Sequence, residues 1–193
     1  MKTFVVGITG ASGVVIGIRL IEELLHQNFE VFSIVTENAQ KVIEHELGKT
    51  YQLPSEAQYF NEHDASGAIN SSSCLIDSMV IVPCSMKTLS ALANGYTFNL
   101  ITRAADNQLR TSKPLILVPR ETPLSISHLE NMLKLKQAGA IICPPMAAYY
   151  HHPESVEAMT NFFVGKILDL LSVQNDLYQR WGNNFNDQNV KNN

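Results

Sequence analysis

Val5-Val6-Gly7-Ile8-Thr9-Gly10-Ala11-Ser12-Gly13-Val14-Val15-Ile16-Gly17 passes from one kind of periodicity to another. Residues 4–8 are an uncharged, β-branched-rich run, the pattern of a strand buried on both faces of a parallel sheet. Gly10 and Gly13 break that run. Beyond them Ile16, Leu20 and Leu24 recur every four residues, with Val14, Ile18, Ile21 and Leu25 alongside, which is one face of a helix. A strand, a glycine turn and a helix start form a ready anion site, since backbone N–H groups and the helix dipole point outward there. Glycine admits a phosphate that a side chain would block, and Thr9 and Ser12 add hydroxyls. The spacing is not G-x-G-x-x-G, so the dinucleotide fingerprint is incomplete. Taken alone, the turn is equally a phosphate site or a strand–helix connection that binds nothing.

The same alternation continues outward. Strands are expected at residues 30–35, 78–82, 115–118 and 140–143, the second of these being stopped by Pro83 and the last by Pro144-Pro145. Helices are expected at 37–46, 87–93 and 100–110, from a capping box at Ser127-His128-Leu129-Glu130, and over 155–171, with Pro153 in the first turn of the last helix. Residues 50–65 hold at most one short strand. Strands alternating with helices predict an α/β protein, a doubly wound, mostly parallel sheet between helical layers in the Rossmann-like (flavodoxin-like) three-layer α/β/α manner. One domain is expected over residues 1–181. The segment 182–193 carries six asparagines and is expected to be a disordered tail.

Composition narrows the classes. The 193 residues are 45% apolar and 17% charged, and 14 basic against 18 acidic residues leave a net charge of −4. That balance gives no electrostatic footing for nucleic acid. Low charge with high apolar content points weakly to a homo-oligomer. Cys74, Cys84 and Cys143 lack metal-ligand spacing. Gly7, Thr9, Gly10 and Ser12 interrupt the N-terminal apolar residues, which argues against a signal peptide, and no run is long enough to span a membrane. A reducing, cytoplasmic setting is expected.

In open α/β sheets, ligands bind beyond the carboxyl ends of the strands. The residues there are small or polar: Gly10, Ala11 and Ser12; Thr36; Ser85, Met86, Lys87 and Thr88; Arg120 and Glu121; and the Tyr149-Tyr150 region. Each has a plain reading as well. Ser85 before a helix reads on its own as a cap. Arg103 and Asp106 read as a surface i,i+3 pair, with Arg110 two turns beyond Arg103. Arg120-Glu121, fixed between Pro119 and Pro123, is equally a bidentate phosphate ligand beside a proton carrier or a loop salt bridge. His151 and His152, being adjacent, do not form a two-ligand metal site. Glu46 ends a helix, where a carboxylate is electrostatically unfavourable. Cys84 has no visible base and reads as a buried thiol, and Trp181 reads as closing a core or an interface.

Taken in order, Gly7-Ile8-Thr9-Gly10-Ala11-Ser12-Gly13, Pro83-Cys84-Ser85-Met86-Lys87-Thr88-Leu89-Ser90, Thr102-Arg103-Ala104-Ala105-Asp106, Arg120-Glu121-Thr122-Pro123-Leu124 and Pro144-Pro145-Met146-Ala147-Ala148-Tyr149-Tyr150 resemble the UbiX-like flavin prenyltransferases over residues 3–181. The resemblance implies a metal-independent transferase and a homododecamer. It implies reduced FMN as the substrate, dimethylallyl phosphate as the donor, and attachment at flavin N5 and C6. The product, prenylated FMN, would serve UbiD-like decarboxylases. By the same resemblance Gly10, Ala11, Ser12, Thr36, Ser85, Met86, Lys87, Thr88 and Arg120 would contact FMN. Arg103, Arg110, Arg120, Tyr150, Lys166 and Trp181 would surround the donor, and Ser12, Glu46 and Glu121 would move protons. Lys166 stands where several members have Arg, which keeps the charge but not the fork; Arg110 stands where some have Lys. A non-catalytic FMN-binding protein and a flavin-dependent cysteine decarboxylase of the same fold are the alternatives. The second would need an early histidine in the first helix, where this chain has only residues 14–18 of apolar and glycine character.

Overall fold

The computed structural model describes residues 2–64 and 67–182. It divides into two compact units, one up to Pro145 and one from Met146 on. Of the Asn-rich segment, residues 183–193 lie outside the described residues.

The first unit is built on β1 (Thr3–Ile8), β2 (Glu30–Val35), β3 (Gln58–Phe60), β4 (Ser78–Cys84), β5 (Leu115–Pro119) and β6 (Ile141–Ile142). They form one parallel sheet in the order β3-β2-β1-β4-β5-β6. The strand order therefore reverses between β1 and β4, and that reversal is where a doubly wound sheet leaves a crevice. Every residue of β1, β4 and β5 is buried, which is why they read as unbroken apolar runs.

Helices α1 (Val14–His26), α2 (Glu37–Glu46), α3 (Met86–Ala93), α4 (Leu100–Arg110) and α5 (Ile126–Gln137) connect the strands. Alternation along the strands sends Val5, Met79, Ile81, Leu115 and Leu117 into one core with Leu89 of α3, Ile101 and Ala104 of α4 and Leu135 of α5. The opposite face meets α1. There Gly17 packs so tightly that a Cβ on it would lie 2.3 Å from the Val82 carbonyl oxygen. This glycine exists for close helix–sheet contact.

Three boundaries differ from the sequence reading. Pro83 does not stop β4: the strand runs on to Cys84 through a register shift, with Val82–Pro83 cis, and proline is tolerated at such an irregularity. The α5 cap is Ser125, not Ser127. Ser125 Oγ accepts the His128 N–H at 3.2 Å while His128 Nδ1 accepts the Ser125 N–H at 3.2 Å, so histidine fills the place usually held by Glu or Gln. The last helix, α6 (Val156–Leu170), is capped by Ser155, whose hydroxyl accepts the Ala158 N–H at 3.0 Å, and Pro153 precedes the cap.

Candidate functional site

A cavity of about 360 Å³ opens at the strand-order reversal, lined among others by Gly10, Thr36, Ser85, Lys87, Thr88 and Asn99. Three of these are helix caps. Thr36 Oγ1 accepts the Ala39 N–H at 3.1 Å at the start of α2. Ser85 Oγ accepts the Thr88 N–H at 3.4 Å at the start of α3. Asn99 Oδ1 accepts the Thr102 N–H at 3.0 Å in a capping box that opens α4. Three positive helix ends thus converge on one crevice, a field suited to an anion. Lys87 adds a full charge, held 4.8 Å from the Phe98 ring centre.

The first turn contributes less than its glycines promise. The N–H groups of Gly13 and Val14, which open α1, donate to the Glu46 carboxylate at 3.1 and 3.3 Å. The anion at this helix start belongs to the chain itself, and the reason for a carboxylate at the end of α2 is the dipole of α1, not of its own helix. The Ala11 N–H donates to Thr9 O at 2.8 Å. Thr9 Oγ1 is buried between strands, donating to Pro83 O at 2.8 Å and accepting the Ser85 N–H at 2.7 Å, so it is unavailable as an anion donor. Gly10 is needed for a protein contact: its Cβ would sit 2.6 Å from Asn38 Cβ. Of the turn, Gly10 lines the cavity, while Ser12 is exposed one residue from the Glu46-capped amides. Met86 turns its side chain onto the core, leaving its backbone at the α3 start.

Sequence reasoning missed Glu62, His63, Phe98 and Asn99. Glu62 accepts the Glu37 N–H at 2.7 Å and Asn99 Nδ2–H at 2.8 Å, tying the start of α2 to that of α4. The signal available was the Asn99–Thr102 cap pair; nothing local marks Glu62. A neighbouring cavity of about 330 Å³ shares these residues and adds Arg103. Arg110 is directed to Asp106 instead, Nε to Oδ2 at 2.9 Å, with Arg103 4.0 Å from the same oxygen, and it also contacts Asn107 Oδ1. Arg120 follows β5 next to the end of β4, its N–H donating to Cys84 O at 3.4 Å. The loop salt bridge is not formed: Glu121 accepts the Thr122 N–H at 3.0 Å, and among the described residues no carboxylate pairs with Arg120. Burial pushes the Cys84 thiol up to about 12, so it is an inert core thiol.

In the second unit Tyr150, Lys166 and Trp181 come together. Tyr150 meets Trp181 edge-on at 5.3 Å and Phe162 at 6.0 Å. Lys166 Nζ lies 4.9 Å from the Tyr178 ring centre and 5.7 Å from that of Phe162. Burial works to lower the Lys166 pKa, but the Tyr178 hydroxyl and the nearby Tyr150 and Asp169 groups outweigh it and hold the ammonium above its usual range. Burial likewise works to raise Asp169, yet hydrogen bonds from Arg180, Tyr178 and Asn175 keep it below the ordinary carboxylate range. Among the described residues no group of three His, Cys, Asp or Glu side chains is placed to hold a metal ion, and no helix is long and apolar enough to cross a membrane.

A family model described as Flavoprotein matches residues 1–170. The flavin prenyltransferase UbiX of Methanothermobacter thermautotrophicus is 45% identical over 185 residues, covering 94% of this chain and 96% of the relative. Among solved structures, AnUbiX (PadA1) in complex with FMN and dimethylallyl pyrophosphate superimposes with a TM-score of 0.89 at 38% identity, covering 94% of this chain and 97% of that one. A dodecameric FMN-dependent UbiX-like decarboxylase from Escherichia coli has a TM-score of 0.89 at 38% identity, over 93% of this chain and 99% of that one.

Proposed function

The chain belongs to the flavoprotein family and, within it, to the flavin prenyltransferases, and from that premise we propose that it joins a dimethylallyl group from dimethylallyl phosphate to N5 and C6 of reduced FMN. The observation that carries the reading is the convergence of three helix starts, capped by Thr36, Ser85 and Asn99, on one cavity at the reversal of strand order. Its volume is within the range of about 300–1,000 Å³ of small-molecule sites, and its donor set fits a phosphate with a planar polar ring. Gly10, Thr36, Ser85, Lys87 and Thr88 would hold FMN, with the backbone at Met86. Reduced FMN supplies the nucleophilic N5 and C6 positions. Arg120 would contact FMN, and within the second unit Lys166 and Tyr150 would neutralise the phosphate that leaves the allylic carbon. The rings of Tyr150 and Trp181 exclude water from that carbon and face its developing charge. The product would be prenylated FMN for a UbiD-like decarboxylase. Cys74 and Cys84, which form no disulfide, suit a reducing cytoplasm.

The reading is tested by incubating the protein with chemically reduced FMN and dimethylallyl phosphate and weighing the extracted flavin. An increase by one dimethylallyl group is expected. An unchanged flavin mass, with FMN shown to be bound, would overturn it.

Glu46 has two roles to separate. Glu46→Gln should cost the α1 cap about 1 kcal/mol, since the amide keeps one acceptor oxygen but loses the charge and turns the second oxygen into a donor. As a proton carrier beside Ser12 it should also stall turnover while FMN stays bound. A variant that melts earlier in a thermal scan yet turns over at the full rate would leave Glu46 with the structural role only.

Assembly is proposed on the outer face of α5. Ile126, Leu129 and Leu133 follow at i, i+3 and i+7 and are 75%, 53% and 57% exposed, an apolar stripe that suits burial against another copy. The homododecamer is the proposed state. Leu133→Glu is expected to lower the molar mass seen by light scattering after size-exclusion chromatography; an unchanged mass would remove this stripe from the interface.

A further inference from the structure

The segment after α6 is gathered onto the helix around one side chain, Asp169. Asp169 accepts Asn175 Nδ2–H at 2.9 Å, the Tyr178 hydroxyl at 2.6 Å, and a fork from Arg180, Nη1 to Oδ2 at 2.8 Å and Nη2 to Oδ1 at 2.7 Å. All three donors lie beyond the helix end. The chain turns at Ser172, whose φ is 54°, and Gly165 makes room for the returning segment: a Cβ there would lie 2.5 Å from Tyr178 Cδ1. Asn175 reaches across to Gly165 O at 3.3 Å, and Arg180 also stacks on the Tyr178 ring at 5.2 Å.

Two consequences bear on Lys166 and Trp181. Trp181 directly follows Arg180, so the fork on Asp169 fixes the position from which the indole reaches Tyr150. Tyr178, anchored on Asp169 through its hydroxyl, also presents its ring to Lys166, whose Nζ lies 4.9 Å from the ring centre. Arg180 saturates the carboxylate in a bidentate pair. Lys166 therefore lies against the Tyr178 and Phe162 rings rather than in an ion pair with Asp169, and its charge stays available to an incoming anion.

We propose that Asp169 is a positioning residue: by accepting Asn175, Tyr178 and Arg180 together it latches residues 172–181 along α6 and sets Lys166 and Trp181 for the phosphate and allyl group of the donor. The donor assignment rests on the prenyltransferase reading above; the latch does not. The groups facing Asp169 are Arg180, Asn175 and Tyr178, with Lys166 beyond the Tyr178 hydroxyl. Because the folded carboxylate has a lowered pKa, the latch is complete above the ordinary aspartate range and is lost as pH falls through the lowered value.

Trp181 is the single tryptophan of the chain. It is 71% exposed yet held edge-on to Tyr150 at 5.3 Å, so its fluorescence anisotropy reports the latch directly in the full-length protein. In Asp169→Asn, the Trp181 anisotropy is expected to fall and KM for dimethylallyl phosphate to rise about tenfold or more, with a smaller change in kcat and with FMN affinity unchanged. Tyr178→Phe removes the hydroxyl but keeps the Arg180 fork. It is expected to raise KM several-fold while leaving the Trp181 anisotropy as it was, and it serves should the first variant fail to fold. Unchanged anisotropy and KM in Asp169→Asn would overturn the proposal, as would a loss confined to thermal stability. In Tyr178→Phe, an unchanged KM would do the same. A wild-type protein that yields no prenylated flavin, while Asp169→Asn still lowers the Trp181 anisotropy, would sink the prenyltransferase reading and leave the latch standing.

Discussion

Lys166→Met is expected to lower kcat/KM for dimethylallyl phosphate by about 10²- to 10³-fold, the loss typical of one preorganised electrostatic contact to a charge that develops in the transition state. The ammonium is in place before any ligand arrives, 4.9 Å from the Tyr178 ring centre and 5.7 Å from that of Phe162. Little reorganisation is then required when phosphate departs. Its pKa lies above that of an ordinary lysine, despite the opposing pull of burial. A raised folded pKa keeps the proton on Lys166 at and below the unfolded value and releases it only as pH rises through the folded one. The dependence on Lys166 should therefore be flat across the neutral range. Methionine retains the aliphatic length that packs between Phe162 and Tyr178, so the fold is kept and FMN binding should be unaffected. Lys166→Arg should recover most of the rate. Steady-state kinetics by flavin mass decide the matter, and a Met variant within threefold of the parent would remove Lys166 from the reaction.

Gly17→Ala should be the most damaging small substitution in the scaffold. Its Cβ would be 2.3 Å from the Val82 oxygen and 3.2 Å from Ile8 Cγ1. The first neighbour is backbone in a central strand and cannot swing aside. Either α1 lifts from the sheet or β4 shifts, at a cost of about 3 kcal/mol. For a chain of this length that lowers Tm by about 6–12 °C. Gly7→Ala is the control: its Cβ would meet only Ile101 side-chain atoms, the nearest at 3.4 Å, and its Tm should move far less. Calorimetry on the two variants checks the contrast, and equal Tm values would contradict the packing argument.

The strand–helix alternation was legible because its cause is local. Buried parallel strands such as residues 78–84 carry no charge, and α2 and α4 show their boundaries in composition. Misplaced ends have equally physical reasons. Ser125 and Ser127 offer the same cap chemistry, and His128 decides between them through a ring nitrogen. Pro83 lies within a strand because the ladder slips there. The site was legible in part, through the polar residues that follow each strand. Glu62 was not, since its meaning comes from Asn99, 37 positions away. The partners of Asp169 stretch to Arg180, eleven positions on, past the helix end, and no helical or strand period connects them.

Glu46 at the start of α1 separates two quantities that are usually coupled. Where a bound phosphate caps a helix, losing the ligand strips the helix start of its counter-charge, and ligand release is also local unfolding. Here Gly13 and Val14 keep their acceptor whether the crevice is filled or empty. The first βα turn therefore holds its shape through a full cycle of loading, turnover and product departure. Under the proposed function the protein must let go of its modified flavin, and this turn makes letting go undemanding for the scaffold.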